Sequence, residues 1–172
     1  MRFILPVFFI ILYSVSLYSQ SSPCVTNTGY HIVVLGSSTA AGAGASPSDS
    51  AWVNRYRSYL QGFNPDYQVT NRAQGGFNSY RIMPTGFTPP SGRPNADTIR
   101  NITYALSLNP DAIIVNLPSN DVSAGYSVQE QLDNLDTVFT HAQQAGVPIW
   151  ICTTQPKNYG GNQVNIQKQL DV

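Results

Sequence analysis

A serine hydroxyl becomes a useful nucleophile when a base takes its proton and fixed donors stabilise the oxyanion that forms. Three short stretches of this sequence carry residue types suited to that chemistry. Gly36-Ser37-Ser38-Thr39 follows a β-branched run, so Ser38 is expected where a strand turns into a loop, with its hydroxyl at the rim. Gln74-Gly75-Gly76-Phe77-Asn78-Ser79 supplies Gly76, whose backbone N–H has no Cβ to keep a substrate away. Pro118-Ser119-Asn120-Asp121 supplies Asn120, whose side-chain amide can donate. Singly, each stretch reads as an ordinary turn: glycine pairs mark bends, and Asn-Asp is a common turn pair. Their weight comes from their order and from the elements that precede them.

Residues 31–36 are continuously apolar, the pattern of a strand covered on both faces. Trp52, Val53, Tyr56, Tyr59 and Leu60 recur at helical spacing and predict an amphipathic helix over 50–61, stopped by Gly62. Residues 67–73 read as a shorter, more polar strand nearer a sheet edge. Pro84, Pro89, Pro90 and Pro94, with Gly86 and Gly92, make 80–94 a long surface excursion without helix. A helix is expected over 95–108, with Ile99, Ile102, Ala105 and Leu106 on one side. Residues 111–117 are a third strand. A helix over 128–145 carries Leu132, Leu135, Val138, Phe139 and Ala142 on one face and ends at Gly146. A fourth strand spans 148–153, and another helix begins at Asn162.

Strands alternating with helices predict an α/β fold: a three-layer α/β/α doubly wound parallel sheet, flavodoxin-like, with right-handed crossovers. Ligand sites in such sheets lie at the carboxyl ends of the strands. Residues 36–39, 74–79 and 118–121 all fall there.

The chain has 172 residues, a one-domain length, and a formal net charge of zero. That balance offers no attraction to nucleic acid or to an anionic membrane surface. Met1-Arg2, the apolar run Phe3 to Leu12 and the polar stretch Tyr13 to Ser19 have the layout of a signal peptide over 1–19. A leader over 20–29 and a domain over 30–172 follow, and the mature protein is expected to be secreted or periplasmic. The apolar run is shorter than the roughly 20 residues of a spanning helix, so no stable membrane insertion is expected after cleavage. Ser21-Ser22-Pro23 makes a poor lipid-attachment signal before Cys24. Export permits a disulfide between Cys24 and Cys152, but the simpler reading makes Cys152 a small buried residue of the fourth strand. His31 and His141 are the only histidines and four-ligand zinc spacing is absent, so no metal is expected. Asn101-Ile102-Thr103 matches a glycosylation pattern too common to carry weight.

Taken together and in order, the three stretches resemble the blocks of the SGNH hydrolases, also called the GDSL esterase/lipase family. Gly36-Ser37-Ser38-Thr39 is similar to the family's Gly-Asp-Ser-Leu/Thr, and Asn71-Arg72-Ala73-Gln74-Gly75-Gly76 resembles Asn-x-Gly-x-x-Gly. Pro118-Ser119-Asn120-Asp121 is similar to Gly-x-Asn-Asp, and Thr153-Thr154-Gln155-Pro156 also looks like that family. Ser37 stands in place of the family's aspartate, and Ala73 and Pro118 in place of glycines. The resemblance implies a serine esterase acting on carboxylic esters, carbohydrate or lipid esters among them, without metal or cofactor. Ser38 is then the nucleophile. The N–H groups of Ser38 and Gly76, with the Asn120 side chain, form the oxyanion hole. Asp121 reads as a turn or helix-cap residue, not as the triad acid.

The family's Asp-x-x-His block, which supplies the base and its orienter after a further helix and strand, has no counterpart here after the fourth strand. His141 lies off the apolar face of its helix, and His31 opens the first strand at the end opposite Ser38. The sequence is therefore expected to be a C-terminally truncated hydrolase domain, without the last strand and the catalytic histidine loop and with little turnover of its own. Two alternatives keep the fold: a natural pseudoenzyme, and a secreted glycan-binding module using the Tyr- and Pro-rich surface. A nucleotide-binding domain is disfavoured, because 36–44 holds neither Gly-x-Gly-x-x-Gly nor a Walker lysine.

Overall fold

In the computed structural model, residues 29–117 and 120–172 are described. The expected signal peptide, Cys24, Pro118 and Ser119 lie outside them. Four parallel strands form one sheet in the order β2-β1-β3-β4: β1 His31–Gly36, β2 Gln68–Asn71, β3 Ala112–Asn116 and β4 Ile149–Ile151. In register, Ile32 faces Val69 on one side and Ala112 on the other, Gly36 faces Asn116, and Val115 faces Ile151.

β1 shows why its run is apolar throughout. Val33 and Leu35 point into a core with Ile113, Val115, Ile102, Ala105, Val138 and Ala142. Ile32 and Val34 point the other way, against Val53, Val69 and Ala112. A strand with helices on both faces has no solvent side to spend on polar residues. Fully burying each such side chain stabilises the fold by about 1.5–3 kcal/mol. The first face is covered by α3 (Ile102–Ser107) and α5 (Val128–Gln144), and the second by α2 (Trp52–Phe63). The architecture is thus the parallel α/β sheet flanked by helices that the alternation of elements predicts.

Several boundaries differ from expectation. α2 runs through Gly62 to Phe63, so Gly62 is not its stop. Ser38 does not open a loop directly: Ser38–Ala41 form a short helix, α1. α3 begins only at Ile102, because Asn101 is its N-cap, with its Oδ1 accepting from the Tyr104 N–H at 2.8 Å; Ile99 is left outside and exposed. Asn101 is fully buried, which removes it from any glycan-bearing surface. The 80–94 excursion is not all surface: it opens with a 3-10 turn, Ser79–Ile82, and Tyr80, Ile82 and Met83 are core residues.

α5 is rotated from the face its apolar residues suggest. Gln131, Asn134, Val138 and Ala142 are buried, while Leu132 and Phe139 are 40% and 37% exposed. Polar partners below the helix account for the rotation, as the site shows. Cys152 lies just past β4 and is exposed, without a disulfide among the described residues, and is not buried in the strand. Beyond α2, the face of β3 and β4 bearing Ala112, Ile114 and Trp150 lines an open apolar groove of about 610 Å³ with Trp52, Tyr56 and Leu60. Among the described residues no helix is long and apolar enough to cross a membrane.

Candidate active site

The β1 exit is built around a glycine that nothing larger can replace. A Cβ on Gly36 would lie 2.5 Å from the Asn116 carbonyl oxygen and 2.9 Å from the Ala40 Cβ. This close approach brings Ser37 N–H onto the Asn116 carbonyl at 3.1 Å. Ser37 is extended (φ −113°, ψ −153°) and fully buried. Ser38 is the first residue of α1 and is half-buried. The two serines that are neighbours in sequence therefore have opposite fates: the first is sealed in, and the second keeps a path to solvent. α1 closes at Gly42, whose φ of 92° a residue with a Cβ would adopt only with strain.

Asn71 ties β2 to this turn: its Nδ2 donates to the Ala40 carbonyl at 2.7 Å and its Oδ1 accepts from the Ala73 N–H at 3.0 Å. Gln74 N–H donates to the Gly36 carbonyl at 3.1 Å, which draws the second loop beside the first. Gly76 has φ 83°. Neither the Ser38 nor the Gly76 N–H donates a hydrogen bond to another described residue.

The third loop arrives on α4 (Asn120–Ser123). Asn120 Nδ2 donates to Ser37 Oγ at 2.7 Å and to the Phe77 carbonyl at 2.8 Å. One side chain thus touches the neighbour of Ser38 and the neighbour of Gly76. Beside it, Asp121 is buried and its Oδ1 accepts from the Ser79 N–H at 2.9 Å and from Ser79 Oγ at 2.5 Å. Asn134 Nδ2 on α5 donates to the same Ser79 Oγ at 2.8 Å. Burial pushes the Asp121 carboxyl above the ordinary aspartate range, and the two bonds from Ser79 partly offset this. A small cavity of about 80 Å³ adjoins the network, lined by Ser79, Asp121, Gln131, Thr153 and Thr154.

The chain after β4 closes over the turn. Thr39 Oγ1 donates to Gln155 Oε1 at 2.8 Å, and Lys157 Nζ donates to Ser123 Oγ at 2.7 Å. Gln169, on α6 (Gln163–Leu170), donates through Nε2 to the Gln155 carbonyl and accepts from Thr154 Oγ1 at its own carbonyl at 2.8 Å.

On the other flank the 80–94 excursion is strapped to α5. Arg93 reaches Glu130 through Nε at 2.5 Å and NH2 at 2.9 Å, and stacks 4.1 Å over the Tyr126 ring. Tyr80 Oη donates to Glu130 Oε1 at 2.7 Å, and Asn78 Nδ2 donates to Tyr126 Oη at 3.0 Å. The Arg93 guanidinium, ahead of the Tyr80 hydroxyl, holds the Glu130 carboxyl below its usual range. The phenols of Tyr80 and Tyr126 are pushed up, chiefly by burial.

The three positions singled out in sequence, Ser38, Gly76 and Asn120, are thus brought into one set of adjoining loops. The residues behind them, Ser79, Asn134, Arg93 and Glu130, are not singled out by the sequence pattern. The signal for part of this was present: Ser127-x-x-Glu130 is a capping box, and Gln131 and Asn134 are polar residues three apart on one helix face.

The two histidines stay away. His31 opens β1 and bonds Thr70 Oγ1 through Nε2 at 2.9 Å, with the whole strand, about 3.3 Å per residue, between it and Ser38. His141 lies in the last turn of α5, the end that feeds the start of β4 and so faces the opposite edge of the sheet. Among the described residues no group of three His, Cys, Asp or Glu side chains is placed to hold a metal.

A parallel α/β sheet with a serine turn at its carboxyl edge defines the class of this protein. The chain belongs to the GDSL-like lipase/acylhydrolase family, whose sequence model matches residues 34–170. Solved structures share the fold. The psychrotrophic esterase EstA from Pseudoalteromonas sp. superposes with a TM-score of 0.61 at 16% identity, over 82% of this chain and 68% of its own. An acetyl xylan esterase, AlAXEase, gives 0.59 at 16% identity over 82% and 68%. A lipase/acylhydrolase from Enterococcus faecalis gives 0.57 at 18% identity over 82% and 67%. No curated protein sequence matches the chain.

Proposed function

We propose that this domain hydrolyses carboxylic esters through Ser38. In the first step Ser38 Oγ bonds to the ester carbonyl carbon, its proton passes to a base, and the carbonyl electron pair moves onto oxygen. Collapse of that intermediate expels the alcohol, which takes the proton, and leaves an acyl group on Ser38 for water to remove. The N–H groups of Ser38 and Gly76 receive the oxyanion. Asn120 contributes the hydrogen now held by Ser37 Oγ, because an oxyanion is a stronger acceptor than a neutral hydroxyl. Its other hydrogen, on the Phe77 carbonyl, keeps the side chain in place.

The observation that carries this reading is the pair of hydrogen bonds from Asn120 Nδ2 to Ser37 Oγ and the Phe77 carbonyl, at 2.7 and 2.8 Å. It couples three loops distant in sequence at a serine that retains a path to solvent. The base is proposed to come from outside these 172 residues, since both histidines lie at the far edge of the sheet; alone, the 172-residue chain is then nearly silent. Export is part of the proposal and is supported by the composition of Met1 to Ser19.

The test supplies the base from solution. The 172-residue protein is treated with an aryl phosphonate with and without imidazole, and intact mass and peptide mapping locate the adduct. The expected result is an imidazole-dependent adduct on Ser38, lost in Ser38→Ala and retained in Ser37→Ala. An adduct that persists in Ser38→Ala, or none in the native protein at any imidazole concentration, overturns the reading.

A further inference from the structure

The Asn120 side chain and the Gly76 amide belong to separate loops, and nothing covalent near them fixes their spacing. Asn120 itself makes one tie between the loops, through the Phe77 carbonyl. Further ties run through the next residue. Asp121 Oδ1 receives both the N–H and the hydroxyl of Ser79, at 2.9 and 2.5 Å, three residues after Gly76. Ser79 Oγ is itself held by Asn134 Nδ2 at 2.8 Å, so the pair is anchored to the 17-residue helix α5. Asp121, Ser79 and Asn134 are 3%, 2% and 5% exposed. A carboxylate buried this deeply costs stability unless hydrogen bonds compensate, and burial raises its affinity for a proton. The rotation of α5, which buries Asn134 while Leu132 and Phe139 face outward, is a second cost borne at the same place.

We infer that Asp121 is a positioning residue, which through Ser79 and Asn134 sets the spacing between the Asn120 side chain and the Gly76 amide. The inference rests on the esterase reading for its catalytic consequence but not for its geometry. Asp121 touches no reacting atom; it acts through the loop it holds. An asparagine at 121 keeps an oxygen able to accept both Ser79 bonds, whereas alanine keeps none. A merely stabilising aspartate would be replaceable by any change of equal cost elsewhere.

The 172-residue protein is made with Asp121→Ala, Asp121→Asn and Ser79→Ala, and with Val138→Ala as a control of the core under α5. Two quantities are read: the ¹⁵N–¹H resonances of the Asn120 side-chain amide and the Gly76 backbone amide, and the rate of imidazole-dependent phosphonylation. In Asp121→Ala both resonances move and the rate falls by roughly tenfold or more. In Asp121→Asn the resonances stay near their native positions and the rate stays within about threefold. Ser79→Ala, which keeps the backbone bond to Asp121, moves the resonances less than Asp121→Ala, and it stands in if that variant does not fold. Val138→Ala lowers the melting temperature but moves neither resonance. Native resonances in Asp121→Ala or Ser79→Ala, or equal shifts in Val138→Ala, overturn the inference. If the native protein takes no phosphonate, the esterase reading fails while the two resonances still decide this one.

Discussion

Asn120 Nδ2 sits 2.7 Å from Ser37 Oγ, joining the turn after β3 to the turn after β1 across 83 residues of sequence. Ser37 is fully buried there. A neutral hydroxyl thus accepts this bond. Ser37→Ala strips the Asn120 hydrogen of its acceptor in a closed site and should cost about 1–3 kcal/mol in urea unfolding. Asn120→Ala removes the donor itself and should slow imidazole-dependent phosphonylation of Ser38 by about a hundredfold. Equal rates for Asn120→Ala and the native protein would remove Asn120 from the oxyanion hole.

Two glycines should respond in opposite directions. At Gly36 a Cβ meets the Asn116 carbonyl oxygen at 2.5 Å, so Gly36→Ala should destabilise by about 3 kcal/mol or prevent folding. Gly62 lies inside α2 with nothing within 4 Å of a Cβ. Gly62→Ala should therefore stabilise by about 0.5–1 kcal/mol. Thermal melts of the two variants check the pair together.

Asn101 matches a glycosylation pattern but is committed elsewhere. It caps α3 and its Nδ2 donates to Thr85 Oγ1 at 2.8 Å. Protein folded and purified from a glycosylating host should carry no glycan at this residue by intact mass. Asn101→Ala should cost about 1–2 kcal/mol, the loss of a cap and of a buried partner.

Acid should loosen the strap over the 80–94 excursion. Glu130 is held below its ordinary value of 4.5 by Arg93 first, so its contribution to stability is present above that value. The contribution disappears as pH falls through the lowered folded-state value. Asp121, raised by burial, has the opposite sign: it favours the folded state below its ordinary 3.8 and loses that advantage as pH rises through the raised value. Melting temperatures of Glu130→Gln and native protein should differ most above about pH 5 and converge in stronger acid. A difference that widens on acidification would refute the assignment.

The apolar run of β1 was legible as a strand because burial on both faces leaves a local, unbroken pattern. The same holds for the order of strands and helices, and hence for the parallel sheet and the edge at which its loops gather. Ser38, Gly76 and Asn120 were legible as candidates because turn residues after buried strands are sparse, and because their blocks resemble those of a known family. α2 shows the limit of local signals: Gly62 reads as a stop, yet the helix runs on to Phe63. Cys152 shows another, for its strand ends one residue before it and leaves it exposed.

Helical spacing places Leu132 and Phe139 toward the core, but α5 turns Gln131 and Asn134 inward in their place. The reason lies far off in the chain: Ser79 and Asp121 offer Asn134 a hydrogen-bonded place that no periodicity can announce. The unequal burial of Ser37 and Ser38 is of the same kind. The two are chemically identical, and only the approach of the Asn116 carbonyl and the Asn120 amide buries the first while leaving the second in reach of solvent. Apolar burial repeats along the chain and can be read locally. The burial of a polar group depends on partners that folding brings from elsewhere.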